Sequence, residues 1–543
     1  MARILVVEPV AQPGLDRLTA AHETDVRLNL PREQLLDALA SGGGYDALIV
    51  RSQTRVDAEL LAAAAPRLSV VGVASVGTDR IDVPAATRAG VMVVNAPTGN
   101  TIAAAEHTMA LMLALLRRIP SADASVRRGE WDRSGHTGAE LRHKTLGIIG
   151  LGKIGKAVAR RAAAFEARIL AADPYLTADQ ATEANAKLVG LPELLLRADV
   201  ITVHTPLTPH TRGLIGQAQL EAMKPGAYLL NVARGGIVDE VALARALTDG
   251  ALAGAAIDVY SSEPMAVDNP LRSAPNLVLT PHLGASTAEA QDRVGTEMAE
   301  QVLMALSGVT PPYAVNAPSV AADVAPRLRP YVELARRLAI LARQLSVTPL
   351  AEISLTYAGE IAAWDAAPIR TAALSGLLEA VTDQRVNAVN ADLVARERGL
   401  TVTETRTDSS EPWASLVVLE VGEGERCLRL AGSTAHGRPH LAGLDEFAID
   451  AELAGTILVT RHRDQPGIVG AVGTALAEAG VNISSLELSR LSASGQAMMF
   501  VSVDAAVGLH VLQSLRAVPG IDSAIVVTLS APLDSARVGV RDG

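Results

Sequence analysis

A chain of 543 residues is too long for a single hydrophobic core and predicts three or four domains. Its 48 basic and 59 acidic residues give a net charge of -11, and only 2% of its residues are aromatic, which speaks against a polyanion-binding surface or a stacking platform for nucleic acid. One cysteine, Cys427, excludes an intrachain disulfide and a thiolate metal site, and no run reaches the roughly 18 apolar residues of a membrane span. No nucleic acid, membrane or metal partner is expected, and a cytoplasmic setting is.

Over residues 1–98, apolar strands at 4–7, 47–50, 70–74 and 91–95 alternate with alanine-rich helices, the pattern of a parallel sheet. Residues 101–118 read as one long apolar helix, with Arg117 and Arg118 complementing its C-terminal dipole. A buried strand at 145–149 then leads into Gly150, Gly152 and Gly155, followed by a helix at 156–167. This glycine spacing between strand and helix is that of a Rossmann phosphate-binding turn. Asp173 follows the strand 169–172, where a carboxylate accepts from the ribose hydroxyls and repels a 2′-phosphate, so NAD is the expected cofactor. Such a turn opens the first βαβ unit of its domain. Its place so far along the chain predicts a nucleotide domain, 99–284, inserted in a substrate domain made of 1–98 and 285–315.

Further strands at 200–204, 227–231, 255–259 and 277–280 each end in a polar or glycine-rich loop, where an open parallel sheet binds its ligands. Three of these loops carry Arg234, Glu263 and His282. Oxidising an alcohol by hydride transfer needs a base for the hydroxyl proton, and histidine has the suitable pKa. A carboxylate behind the imidazole fixes its tautomer, a role for Glu263. The guanidinium of Arg234 offers a planar fork to a substrate carboxylate. Singly, each has an ordinary reading as ion pair, turn cap or loop hydrogen bond. At successive strand ends of one sheet, the three together favour catalysis.

A helix through Leu306 returns to the first domain, and Thr310, Pro311 and Pro312 end the unit. Residues 318–452 mix helices with strands at 352–358, 401–406 and 415–421 and hold no motif tied to catalysis. Residues 454–531 read βαββαβ, a ferredoxin-like order.

The run Leu146–Gly155, the 232–240 loop and the Pro281–Gly284 loop together resemble the D-isomer-specific 2-hydroxyacid dehydrogenases, whose Arg, Glu and His occur in this order. The resemblance covers about 1–315. It implies catalysis by Arg234, Glu263 and His282, an active site in the interdomain cleft, and dimerisation through the nucleotide domain with Trp131 at the interface. It places Gly150, Gly152, Lys153, Ile154, Gly155, Asp173, His204, Thr205, Pro206, Ala233, Asp258 and His282 around NAD. The segment Arg461–Gly467, a following helix and Asn482 resemble an ACT domain, with Asp464, Gly467 and Asn482 as candidate contacts for an amino acid. The whole order, including Val386–Ala391 in the middle, is similar to the long-form D-3-phosphoglycerate dehydrogenase family. This similarity implies 3-phosphoglycerate as substrate, L-serine as effector and a homo-oligomer, dimer or tetramer. By the same resemblance Arg51 and Arg133, the amides of Ser75, Val76 and Gly77, Asn100 and Arg234 hold the substrate. The expected fold is α/β: a Rossmann-type NAD domain inserted in a flavodoxin-like substrate domain, then an α+β intervening domain and a ferredoxin-like ACT domain. A glyoxylate or hydroxypyruvate reductase on the same fold, or an NAD-sensing scaffold, are the competing readings.

Overall fold

The computed structural model describes all residues except 321–323, 347–349, 380, 383–384, 425–426 and 530–543. The last two positions of the expected ACT span, 530–531, lie outside the described residues. Four sheets organise the described residues.

The first sheet has the order Glu23–Val26, Arg3–Val6, Ala47–Val50, Val70–Val73, Met92–Val94, with every pair parallel. This 2-1-3-4-5 order is the flavodoxin-like one. Ala47–Val50 and Val70–Val73 are buried on both faces, which is why they read as unbroken apolar runs. The edge strand Glu23–Val26 carries no such run; it is half exposed and polar, and sequence reading passed over it.

The second sheet runs Leu277–Leu279, Leu252–Ile257, Ala227–Asn231, Val200–Val203, Thr145–Ile149, Arg168–Ala172, Lys187–Leu188, again all parallel. The order reverses beside Thr145–Ile149, so the glycine turn sits at the switch point of a doubly wound sheet. The helix Ala288–Leu306, capped by Thr287, returns to the first sheet and buries Val294, Met298, Ala299 and Val302 against it. The second unit is thereby inserted in the first.

Two helix expectations are corrected. The helix entering the second unit is Thr101–Leu116 and not 101–118: Arg117 is its C-cap, Arg118 takes φ 53°, and a separate helix, Ile119–Arg127, starts with a proline in its first turn. Arg118 donates to the Gly135 carbonyl at 3.0 Å and so braces the next loop. The helix after the glycine turn is Lys153–Ala164, three residues earlier than 156–167, so its N-terminus opens directly on Gly152.

The third sheet has six strands, Thr401–Thr407, Glu352–Gly359, Ser415–Val421, Leu428–Ala435, Arg438–Leu444 and Phe447–Glu452. The last three were not anticipated, although Arg438–Leu444 and Phe447–Glu452 bury alternate residues. Cys427, with its thiol pKa pushed up by burial, immediately precedes one of them. The fourth sheet, Ile483–Arg490, Gln496–Val503, Gly455–Arg463, Ile521–Leu529, is antiparallel and carries the helices Ile468–Glu478 and Leu509–Arg516, as expected for βαββαβ.

Candidate active site

The glycine turn fits a dinucleotide for three separate reasons. Gly150 has φ 91°, and a Cβ there would stand 2.7 Å from the His204 carbonyl. A Cβ on Gly155 would stand 2.2 Å from the Gly150 carbonyl, so helix and strand approach only without one. Gly152 faces open space at the helix N-terminus, where backbone amides favour a phosphate, with Lys153 and Ile154 following. Asp173 stands at the end of Arg168–Ala172 and accepts from Leu151 N at 2.9 Å and Tyr175 N at 3.0 Å, which aims its carboxylate at the turn.

Opposite the turn, the loop after Val200–Val203 carries His204, Thr205 and Pro206. His204 Nε2 shares a 3.0 Å hydrogen bond with Thr202 Oγ1, and burial pushes the imidazole down to about 4, so it is neutral. Its Nδ1 and the Thr205 Oγ1 are buried without a partner among the described residues, as is Asn100 Oδ1 at the start of the crossing helix. Buried polar atoms are rarely left so. These three orphans, the open face of Gly152 and Asp173 are together a set that a bound dinucleotide and substrate complete, and the residues present fit NAD.

His282 and Glu263 form a hydrogen-bonded pair. His282 Nδ1 lies 2.7 Å from Glu263 Oε2, and Glu263 Oε1 accepts from Tyr260 N at 3.0 Å. The Glu263 carboxylate raises the His282 pKa above its ordinary value, Asp258 adds to the shift and Arg234 opposes it. In return the His282 and Tyr260 contacts hold Glu263 below the usual carboxylate range, although burial pushes the other way. The His282 backbone takes φ 56° and its N–H donates to the Asp258 carbonyl at 2.9 Å.

Asp258 is fully buried and organises this loop. It accepts from Thr280 Oγ1 at 2.6 Å, Leu283 N at 2.8 Å and Gly284 N at 2.9 Å, and His107 Nε2 lies 3.2 Å away. Both of its oxygens are engaged with protein.

Arg234 stands in the loop after Ala227–Asn231, fixed at its base by Asn231, whose Nδ2 donates to the Arg234 carbonyl at 2.9 Å and whose Oδ1 accepts from Ala233 N at 3.1 Å. Its guanidinium reaches the first unit and lies against Gly77. Ser75 Oγ donates to the Arg51 carbonyl at 3.3 Å and to the Gly77 carbonyl at 2.8 Å, and Val76 O accepts from Asn95 Nδ2 at 2.6 Å. Arg51, Ser75, Val76, Gly77 and Arg234 therefore form one wall. The Arg51 guanidinium has no hydrogen bond or ion pair among the described residues.

Sequence reasoning missed three positioning residues. Glu8, 3% exposed at the end of the first strand, accepts from the amides of Ser52, Gln53 and Thr54 and pins the loop behind Arg51. These amides hold its pKa below the ordinary value against the effect of burial. Glu240 accepts from Ser261 N and Asn269 Nδ2, both at 2.6 Å, and steadies the loop that carries Glu263. His107 braces Asp258. The only sequence signal was an acid set directly after an apolar strand, at Glu8.

Arg133 is not brought to this cleft by contacts of its own chain; it is exposed and unpaired among the described residues. Trp131 beside it is 83% exposed. The structure places the effector candidates apart: the Asp464 carboxylate accepts from Arg490 Nη1 and Ser494 N, both at 3.2 Å. Asp464 and Asn482 also flank opposite ends of Gln496–Val503, Asp464 N bonding Gly495 O and Asn482 N bonding Asp504 Oδ1. The strand between those ends spans about 23 Å at ~3.3 Å per residue, so one small zwitterion cannot touch both residues of one chain.

Comparison with known proteins adds the family. Residues 109–284 match the D-isomer specific 2-hydroxyacid dehydrogenase, NAD binding domain; 327–443 match the D-3-phosphoglycerate dehydrogenase intervening domain; 456–520 match the ACT domain. A D-3-phosphoglycerate dehydrogenase of Synechocystis is 40% identical over 97% of this chain and 95% of its own length. One from Mycobacterium tuberculosis is 45% identical over 84% of this chain and 86% of its own. The solved D-lactate dehydrogenase of Aquifex aeolicus, complexed with NAD and lactic acid, superposes with a TM-score of 0.51 at 28% identity, covering 58% of this chain and 100% of that one.

Proposed function

The chain belongs to the D-3-phosphoglycerate dehydrogenase family and is an NAD-dependent dehydrogenase, and from that premise we propose that it oxidises 3-phospho-D-glycerate to 3-phosphohydroxypyruvate, the first step of L-serine biosynthesis. The observation that carries the substrate is Arg51. It is a cation without a hydrogen-bond or ion-pair partner among the described residues, on a loop pinned from behind by Glu8, in the same wall as Arg234. A substrate with a carboxylate at one end and a phosphate at the other uses both arginines.

In this reading Arg234 holds the carboxylate by charge-assisted hydrogen bonds. His282 Nε2 takes the proton of the C2 hydroxyl, and Glu263 keeps Nδ1 protonated and stabilises the imidazolium that results. NAD, when bound, supplies the hydride acceptor. In the reverse direction the same imidazolium returns the proton to the carbonyl oxygen.

The reading includes regulation by L-serine at the ACT domain and a homo-oligomer, dimer or tetramer. The apolar surface supports the second: Ile119, Val126 and Trp131 are 53%, 56% and 83% exposed on neighbouring segments of the nucleotide domain. Since one serine cannot touch Asp464 and Asn482 of one chain, a site that uses both residues takes one from each of two copies.

The test is kinetic. Purified protein should form NADH with 3-phosphoglycerate, and Arg51→Ala should raise KM for that substrate about ten-fold or more while changing KM for an unphosphorylated 2-hydroxy acid far less. Equal losses on both substrates would remove the phosphate from Arg51.

A further inference from the structure

Arg234 is held from the far side of the cleft. Its Nε donates to Asp79 Oδ2 at 3.1 Å, and Asp79 belongs to the substrate-domain loop that follows Val70–Val73, whereas Arg234 belongs to the nucleotide domain. Nη1 donates to the Ala233 carbonyl at 2.8 Å. Nη2 has no hydrogen-bond partner among the described residues and lies against Gly77, where a Cβ would stand 2.3 Å from it and 2.6 Å from Asp79 Oδ2. Two nitrogens of the guanidinium are thus fixed and the third is left for a ligand. The arginine is 29% exposed and Asp79 55%, so the pair adds little to folding stability, and its consequence is geometric.

We propose that Asp79 is a positioning residue for Arg234: from the substrate-domain wall it orients the guanidinium so that Nη2 meets the substrate carboxylate, with Gly77 leaving the space this orientation needs. The proposal rests on the reading that Arg234 binds that carboxylate. Because the two residues stand on different domains, the arginine is correctly aimed only while the walls of the cleft are together. Substrate capture is thereby tied to closure, which a lone arginine on one domain does not achieve.

The experiment is a double-mutant cycle on the full-length enzyme with Asp79→Ala, Arg234→Ala and the pair, each checked for NADH affinity by fluorescence titration. Asp79→Ala should lower kcat/KM about ten- to hundred-fold, the range for losing a charge-assisted contact, and equally for phosphorylated and unphosphorylated 2-hydroxy acids, since both carry the carboxylate. It should cost nothing further in the Arg234→Ala background, and NADH affinity should be unchanged. Gly77→Ala meets no left-handed backbone, only the arginine tip and Asp79, so it should reproduce the kinetic loss at an unaltered melting temperature. Near-native kcat/KM for Asp79→Ala, additivity with Arg234→Ala, or lost NADH binding would each overturn the proposal. An active Arg234→Ala enzyme would instead overturn the carboxylate reading beneath it.

Discussion

At the scale of single residues, the proposal that His282 is the base makes the chemistry depend on how Glu263 sets its proton affinity. Oxidation requires the neutral imidazole and reduction the imidazolium. The Glu263 contact raises the His282 pKa, Asp258 reinforces it and Arg234 opposes it. The sign follows: kcat/KM for oxidation is full above the raised pKa and falls as pH drops through it, whereas the reduction rate falls as pH rises through it. Glu263→Gln removes the largest cause, so its oxidation profile should show an inflection at lower pH than the parent enzyme, with a reduced plateau. His282→Ala should lose roughly a hundred-fold or more of kcat and the inflection with it. An inflection that stays in place in Glu263→Gln would assign the titration to another group.

At the scale of elements, the crossing between domains is clamped by the helix that returns. Glu297 on Ala288–Leu306 accepts from Thr98 N at 3.2 Å, from Gly99 N at 3.0 Å and from the Thr98 hydroxyl, and Arg293 Nε donates to the Gly99 carbonyl at 3.0 Å. Asn100, with its orphaned Oδ1, comes next. Glu297→Ala should therefore lower kcat/KM about ten-fold at nearly constant NADH affinity, because it frees the segment that sets both cleft width and the position of Asn100. Unchanged kinetics with a lowered melting temperature would reduce the clamp to a structural tie. None of this was legible beforehand, because the clamp joins residues about two hundred positions apart. What the sequence did show were features written in consecutive residues: the glycine turn, Asp173 after its strand, and Arg234, Glu263 and His282 at strand ends. The end of the crossing helix was read two residues late because Arg117 and Arg118 are good helix formers, whereas Pro120 in the first turn of the next helix marked the stop. The three strands after Cys427 were hidden because their charges, such as Arg438 with Glu452 at 3.3 Å and His440 with Asp450 at 3.3 Å, pair across strands and mask the alternation.

At the scale of the whole molecule, the third and fourth sheets share one core, and the first two sheets are joined by the returning helix Ala288–Leu306. One face of the ACT sheet, with Ile457, Val459, Met498, Phe500, Val527 and Leu529, shares a core with Leu334, Leu338 and Leu341 of the intervening helix Ala325–Leu345. Gln344 adds two 3.1 Å bonds to the backbone of Thr528. The joint to the substrate domain is polar: Asn387 Nδ2 donates to the Gly90 carbonyl at 2.8 Å, and Asn390, fully buried, braces that turn through Asn387 N at 2.9 Å. Gly90 lies two residues before Met92–Val94, the strand that leads to Asn95 and thence to the Val76 loop of the active site. On the proposal that L-serine acts at the ACT domain, its effect must cross this joint as a difference in affinity between two arrangements of the bodies. Asn387→Ala should weaken serine inhibition several-fold while leaving uninhibited turnover within about two-fold, since it touches neither substrate nor cofactor residues. A truncation that isolates the catalytic body must fall after Asn316, which caps the edge strand through Val93 N at 2.8 Å, and not at 454, where it would strip Val527 and Leu529 from the shared core and Thr528 from Gln344. The 1–317 fragment should be active and insensitive to serine, and serine that still slows it would place the effector in the catalytic cleft itself.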